Sequence, residues 1–216
     1  MDNNKELLGK AEVLRFPKGR YQSSSRDPRL QAVVDSYFTG GDYKVALSNF
    51  VTLIDQGNDE AYLFAAYIYE EGGNGVEQNF EKALFYYKKA AEEFGAVEGY
   101  LGAARCYYFG KGAPRDYGQA FRYYSAVERE TDNAIAFHML GKMYQYGQGI
   151  PKDLSIARSY FRKASEKGYV MGLVSVGQLE QEEGNLFRGW LLRIRGGILA
   201  FKIALKDRQD SRLRGW

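Results

Sequence analysis

The chain is poor in the residues on which site chemistry is most often built. Among its 216 residues there is one cysteine, Cys106, and one histidine, His138. A single cysteine excludes an internal disulfide framework. A metal site or catalytic dyad would have to be assembled from that cysteine, that histidine and carboxylates on separate segments, and no Asp/Glu/His/Cys cluster stands at ligand spacing. No catalytic residue, no metal and no cofactor is expected. A long uninterrupted hydrophobic run is missing as well. Met1 to Arg20 holds no apolar stretch that could serve as a signal-peptide core, so a cytoplasmic location is expected. Trp190 to Leu205 is mostly apolar, yet a spanning helix needs about 20 such residues. Arg193, Arg195 and Lys202 within it would each cost about 2.5–3.5 kcal/mol on insertion, against about 0.3–0.6 gained per strongly apolar residue. The charges win, and the segment is not expected to cross a membrane.

What the chain does have is a repeat. Gly75, Gly112 and Gly149 are separated by 37 residues, as are Asn79, Asp116 and Asp153, and Ala83, Ala120 and Ala157. A period of this size marks a stack of similar units that bind more often than they catalyse. In the copy from Asn133 to Gly168, Ala134, Phe137, Leu140, Gly141 and Tyr144 fall at helical spacing. Tyr146 to Lys152 is too rich in Gly and Pro to continue that helix. Asp153 then reads as an N-cap, Ile156, Ala157, Tyr160, Phe161 and Ala164 as the inward face of a second helix, and Gly168 as its stop. Each unit is therefore expected to be helix, glycine loop, helix. Small residues (Ala103-Ala104, Leu140-Gly141, Ala120, Ala157) are expected where the two helices approach. Phe85, Tyr86, Tyr87, Tyr123, Tyr124, Tyr160 and Phe161 are expected to fill the space between neighbouring units. Cys106 is equivalent to Ile68 and Met143, which points to a buried packing role.

These positions resemble the Sel-one-like repeat (SLR), a subclass of the tetratricopeptide-like helical repeats. Ala136, Leu140-Gly141, Tyr144, Gly147, Gly149-Ile150, Asp153, Ala157, Tyr160, Ala164 and Gly168 follow its pattern closely. The copy from Ala61 to Gly95 matches too, through Tyr69, Gly72, Gly75-Val76, Ala83, Tyr86 and Ala90-Ala91. The copy from Val97 to Thr131 lacks the closing glycine. The resemblance implies an all-α fold, a right-handed α-α superhelix (solenoid) of helix-loop-helix repeats. Three good repeats are placed at about 60–95, 97–132 and 133–168. Degenerate end repeats extend the array to 29–205, after a flexible polar segment over 1–28 and before a basic tail over 206–216.

In such solenoids the first helices line a concave face. Tyr67, Arg105, Lys142 and Gln178 share one register on those helices, with Leu63, Leu101 and His138 one turn earlier. This column is the expected groove for a protein or peptide partner; Tyr and Arg are also enriched at binding hot spots. The family implies a non-enzymatic adaptor within a signalling, secretion or envelope-biosynthesis complex. Gly110-Lys111-Gly112 and Gly147-Gln148-Gly149 lack the strand and the continuation that a phosphate loop requires, so no small-molecule substrate is expected.

Net charge is +3 overall but unevenly spread: +3 over Met1–Arg29, +6 over Leu186–Trp216, and −6 between them. An acidic array argues against nucleic acid, which helical arrays usually meet with a basic inner face. Arg188, Arg195, Lys202 and Lys206 fall on one helical stripe near Trp190, beside a largely apolar remainder. Residues 186–206 thus have the pattern of an amphipathic helix lying on an anionic membrane surface, at the inner face of the membrane. Packing on the preceding repeat and docking of a partner protein are the other uses open to that segment.

Overall fold

The computed structural model describes residues 27–38, 42–73 and 75–206. Among them are ten helices: α1 (Pro28–Phe38), α2 (Tyr43–Asp55), α3 (Ala61–Glu71), α4 (Phe80–Phe94), α5 (Val97–Phe109), α6 (Tyr117–Glu130), α7 (Ala134–Tyr146), α8 (Leu154–Glu166), α9 (Val170–Glu182) and α10 (Leu186–Lys206). The described residues form no strand, and their single β-bridge, Gly73 to Val76, closes a loop. The fold is all-α, built of helix-loop-helix repeats of the solenoid class. Of the expected end segments, 1–28 and 206–216, all but Asp27, Pro28 and Lys206 lie outside the described residues.

The repeat step is visible as repeated chemistry. Asn79, Asp116 and Asp153 each turn a side-chain oxygen onto the backbone N–H three residues on, at 2.9 Å in all three cases. Each thereby satisfies one of the orphan donors that begin α4, α6 and α8. Asp42 does the same for α2, accepting from the Lys44 N–H at 2.7 Å. Replacing Asp153 with alanine is expected to cost about 1 kcal/mol, read as a lower urea midpoint. Asp153→Asn should retain most of that stability, because asparagine already fills the equivalent position at Asn79.

The helices divide into two compact units. The first runs to Gly102 and includes Lys111–Ala113; the second holds Ala103–Gly110 and everything from Pro114 onward. In the first unit, Leu30, Val34 and Tyr37 of α1, Ala46, Phe50 and Leu53 of α2, and Phe64 and Ile68 of α3 form one buried cluster. Phe50 and Phe64 stack within it at 4.9 Å. The start of α5 then lies directly on α4. A Cβ added at Gly102 would stand 2.4 Å from the Tyr87 ring, and one at Gly99 would stand 2.7 Å from the Ala91 nitrogen.

In the second unit the same device recurs around Phe161. A Cβ on Gly141 would come within 2.6 Å of its ring, and one on Gly172 within 2.6 Å of its carbonyl oxygen. Phe161 is packed with Ala157, Val176 and Leu179, all buried. α9 and α10 meet backbone to backbone, since a Cβ on Gly189 would lie 2.5 Å from the Gly177 carbonyl oxygen. Helices come this close only where neither carries a side chain at the crossing. The small-residue seams thus lie where the repeat pattern places them: Ala103, Ala104, Ala120, Leu140 and Ala157 are all fully buried.

Two expectations about side-chain placement need correction. The rings of Tyr86, Tyr123 and Tyr160 do not fill the space between repeats, although the Tyr160 hydroxyl donates to Glu128 of the preceding repeat at 2.9 Å. Each stacks on the first helix of its own repeat, against Tyr69, Tyr107 and Tyr144, with ring centroids 5.7 Å apart every time. Phe85 does not pack inward at all and is 53% exposed. Three consecutive residues sweep about 200° of a helix, so Phe85, Tyr86 and Tyr87 cannot share one face. The repeat that lacks a closing glycine ends cleanly by another route. Thr131 turns extended, and its N–H and Oγ1 both donate to the Val127 carbonyl, at 2.9 and 3.0 Å.

Candidate functional site

The expected binding column falls on the first helices, and each unit holds a stretch of it. In the first unit, Leu63 on α3 and Leu101 on α5 are buried, while Tyr67, one turn after Leu63, is half-buried with its ring edge-on to Tyr87 at 5.6 Å. In the second unit, Arg105 on α5 and Lys142 on α7 are half-buried and Gln178 on α9 is exposed, whereas His138 on α7 is buried. The register therefore splits into two layers. Leu63, Leu101 and His138 belong to the packing, and Tyr67, Arg105, Lys142 and Gln178 reach the surface above them.

Within the second unit, α7 and α9 are joined across one repeat step. His138 Nε2 lies 3.1 Å from Ser175 Oγ, and Gln145 donates to Glu182 at 3.0 Å, both pairs being 37 residues apart. The His138 ring also packs against Phe161 and Tyr169, at 5.4 and 5.2 Å between centroids. Burial, with a smaller contribution from the nearby Lys142 ammonium, pushes its pKa down to about 4. At neutral pH this imidazole is uncharged. Its Nδ1 is buried with no hydrogen-bond partner among the described residues. Burial pushes the Tyr124 phenol upward, with the Arg105 guanidinium partly opposing it. The cationic heads of Arg105 and Lys142 are thus set over a neutral, aromatic layer, which suits contact with carboxylates or carbonyl oxygens of another chain.

The second candidate surface is α10. Gly189, Gly196 and Ile203, spaced seven apart, are its buried residues, while Arg188, Trp190, Arg195, Lys202 and Lys206 are all exposed. Arg188 Nε stands 3.8 Å from the buried Glu180 carboxylate, and Arg193 donates to Gln181 at 2.8 Å. Opposite the buried stripe, Phe187, Leu191, Ile194, Ile198, Phe201 and Leu205 are exposed. The sequence pattern placed the start of this run at Trp190; Phe187 extends it by a turn. The apolar face packs onto the preceding repeat only in part: Leu192 lies against the Phe161 cluster and Ile203 is buried in line with Gly189 and Gly196, while the remainder stays exposed. No helix among the described residues is long and apolar enough to cross a membrane.

Cys106 is buried, as are its equivalents Ile68 and Met143. Among the described residues no three His, Cys, Asp or Glu side chains gather closely enough to hold a metal ion.

A family model described as Sel1 repeat matches residues 59–93, 97–126 and 134–169. No curated protein sequence matches the chain. Among solved structures, a protective antigen of uropathogenic Escherichia coli displaying an SLR fold is similar at 27% identity and a TM-score of 0.69, covering 84% of this chain. The present chain spans only 42% of that antigen's length. A Sel1 repeat protein from Oxalobacter formigenes is similar in fold at 22% identity and a TM-score of 0.66, with 83% of this chain and 75% of that one covered.

Proposed function

Because the chain belongs to the Sel1-repeat family, we propose that it is a non-enzymatic scaffold that holds a protein or peptide segment along its first helices. In the second unit the segment is held by Arg105, Lys142 and Gln178; Tyr67 offers the corresponding contact in the first unit. The observation that carries the reading is the layering of this register. The positions one turn before Tyr67, Arg105 and Lys142 are buried and the one before Gln178, Val174, is half-buried, while the four themselves reach the surface. Basic side chains dominate the second-unit stretch, so the bound segment there carries acidic side chains. The assembly served is a signalling, secretion or envelope-biosynthesis complex, and its site is cytoplasmic. Peripheral attachment to a membrane through residues 186–206 is the alternative role. It uses a separate helix face and does not compete with partner capture.

A photo-crosslinking residue at Gln178 tests the reading in the native host. It is expected to yield adducts with one discrete protein, whereas the same residue at Ser159, on the outward side of α8, yields none. Arg105→Glu combined with Lys142→Glu should abolish those adducts while leaving the far-UV helical signal unchanged. Adducts of equal yield from both positions, or adducts that survive the double charge reversal, would move the site elsewhere.

A further inference from the structure

The last helix differs from the other second helices on its outward side. In α10 the Gly189 N–H bonds the Asn185 carbonyl at 2.9 Å, as the Ala157 N–H bonds that of Asp153 at 3.0 Å, which fixes the register between them. At the outward positions of that register α8 carries Ser155, Ser159, Arg162 and Glu166, and α6 carries Gly118, Arg122, Ser125 and Arg129. α4 carries Glu81, Phe85, Lys88 and Glu92. α10 carries Phe187, Leu191, Ile194 and Ile198 there, and its extra turns continue the run with Phe201 and Leu205. Phe187 is 75% and Leu205 70% exposed, so the face stays open along its whole length. Five turns of bulky apolar side chain are turned outward where α4, α6 and α8 carry mostly polar or small ones, Phe85 being the exception.

A further repeat stacked on the end does not account for this face. Phe161, Ala164 and Ser165 are the residues of α8 that receive the next first helix at Gly172. Their equivalents in α10 are Arg193, Gly196 and Gly197, on a different side of the helix. A second copy of the chain fits poorly too. Spacing of four and three residues makes the face resemble a coiled-coil seam, but two of its six positions are phenylalanine, where close helix pairing favours Leu, Ile or Val. α10 has five basic residues and no acidic one. Antiparallel pairing would set Arg195 against Arg195 and Arg188 against Lys202, and parallel pairing would bring no acidic partner to either.

We propose that this outward face of α10 docks on an anionic lipid bilayer, its apolar residues entering the headgroup–acyl boundary and its basic stripe meeting lipid phosphates. The face spans about 27 Å at 1.5 Å per residue and forms a convex ridge, a shape that a fluid surface accommodates and that a preformed groove would have to match. Arg188, Arg195, Lys202 and Lys206 lie along one flank, about a quarter turn from the apolar centre. Their long stems can reach phosphates while the helix lies flat. Trp190 sits at the opposite edge of the apolar face, 54% exposed, where an amphipathic ring meets the headgroups. The glycine stripe of α10 stays seated on α9, so docking requires no unfolding of the repeat.

The test uses the full chain with Trp216→Phe, so that Trp190 is the sole tryptophan. Co-sedimentation is compared between phosphatidylcholine vesicles and vesicles that also contain phosphatidylglycerol. The expected result is binding to the anionic vesicles only, weakened at least tenfold by added salt, with a blue shift of Trp190 emission. Ile194→Ser with Phe201→Ser, and separately Arg195→Gln with Lys202→Gln, should each weaken binding at least tenfold. These side chains are exposed, so far-UV dichroism should not change. Absence of binding by a fully helical chain would overturn the proposal, and so would equal binding to neutral vesicles. A vesicle-free dimer abolished by Ile194→Ser would assign the face to a second copy, and capture of an acidic helix without vesicle binding would assign it to a protein. The Arg105→Glu, Lys142→Glu variant should bind vesicles normally, which separates this surface from the partner site.

Discussion

Replacing Gly149 with alanine is expected to destabilise the fold by about 3 kcal/mol, far more than the loss of one methyl-sized void would suggest. Two effects act in the same direction. Gly149 adopts φ +76°, where an L side chain is strained by roughly 1–2 kcal/mol. Its added Cβ would also stand 2.6 Å from the carbonyl carbon and oxygen of Tyr117, with the Gly118 nitrogen at 2.8 Å. Those are backbone atoms at the start of α6, so nothing can swing aside and the loop must lift off the preceding repeat. Gly184 supplies the control. It has φ +89° and nothing within 4 Å of its virtual Cβ. Gly184→Ala should therefore cost only the strain, partly offset by reduced freedom of the unfolded chain, or about 1 kcal/mol. Urea titration of both variants separates the two effects. Equal midpoints would mean that the glycine loop does not bear on the earlier repeat. The same approach occurs at Gly112, whose virtual Cβ lies 2.1 Å from the Phe80 carbonyl oxygen in the first unit. At Gly112 and Gly149 the second glycine of the motif is thus kept by inter-repeat contact as much as by its turn, whereas at Gly75 the nearest atom to such a Cβ, Lys44 Cβ, is 3.9 Å away and the positive φ alone calls for glycine.

That contact explains which parts of the molecule were legible in the sequence. Glycine at a fixed step, followed by Asn or Asp four residues on, reports backbone constraints that only a few residue types meet. Helix starts, loops and small-residue seams could therefore be read directly. Side-chain direction was less accessible. Phe85, Tyr86 and Tyr87 look alike in composition, yet one is exposed, one stacks on Tyr69, and one lies under Gly102. α10 misleads for a related reason. Hydrophobicity alone would press its Phe, Leu and Ile residues onto the repeat, whereas the observed packing face is built around Gly189 and Gly196, because close helix approach rewards the absence of a side chain. On the first helices the register of the binding column was legible, but its division into buried and open positions was not. Leu63, Leu101 and His138 share a helical stripe with their surface neighbours, and burial there depends on how adjacent first helices meet.

His138 makes that burial measurable through pH. Its equivalents Leu63 and Leu101 are apolar and equally buried, so a titratable ring occupies a position that the two preceding repeats fill with leucine. The folded pKa is about 4 against an ordinary value of 6.5, so the unfolded chain binds more protons between those limits. Stability from this group is fully present above pH 6.5, falls as the pH drops toward 4, and levels off below it. The loss across the window amounts to about 3 kcal/mol at 1.36 kcal/mol per unit. The geometry accounts for the direction. Ser175 Oγ can partner Nε2, but protonation adds a charge beside Lys142 and leaves an N–H at Nδ1 with no acceptor among the described residues. His138→Leu should remove this part of the pH dependence. At neutral pH it should cost about 1 kcal/mol through the lost Ser175 contact, and near pH 4 it should be more stable than the parent by about 2 kcal/mol. Urea midpoints measured for both proteins from pH 7 to pH 4 should therefore cross. Parallel curves would mean that the imidazole is solvated in solution, and that the layer beneath Arg105 and Lys142 is open rather than packed.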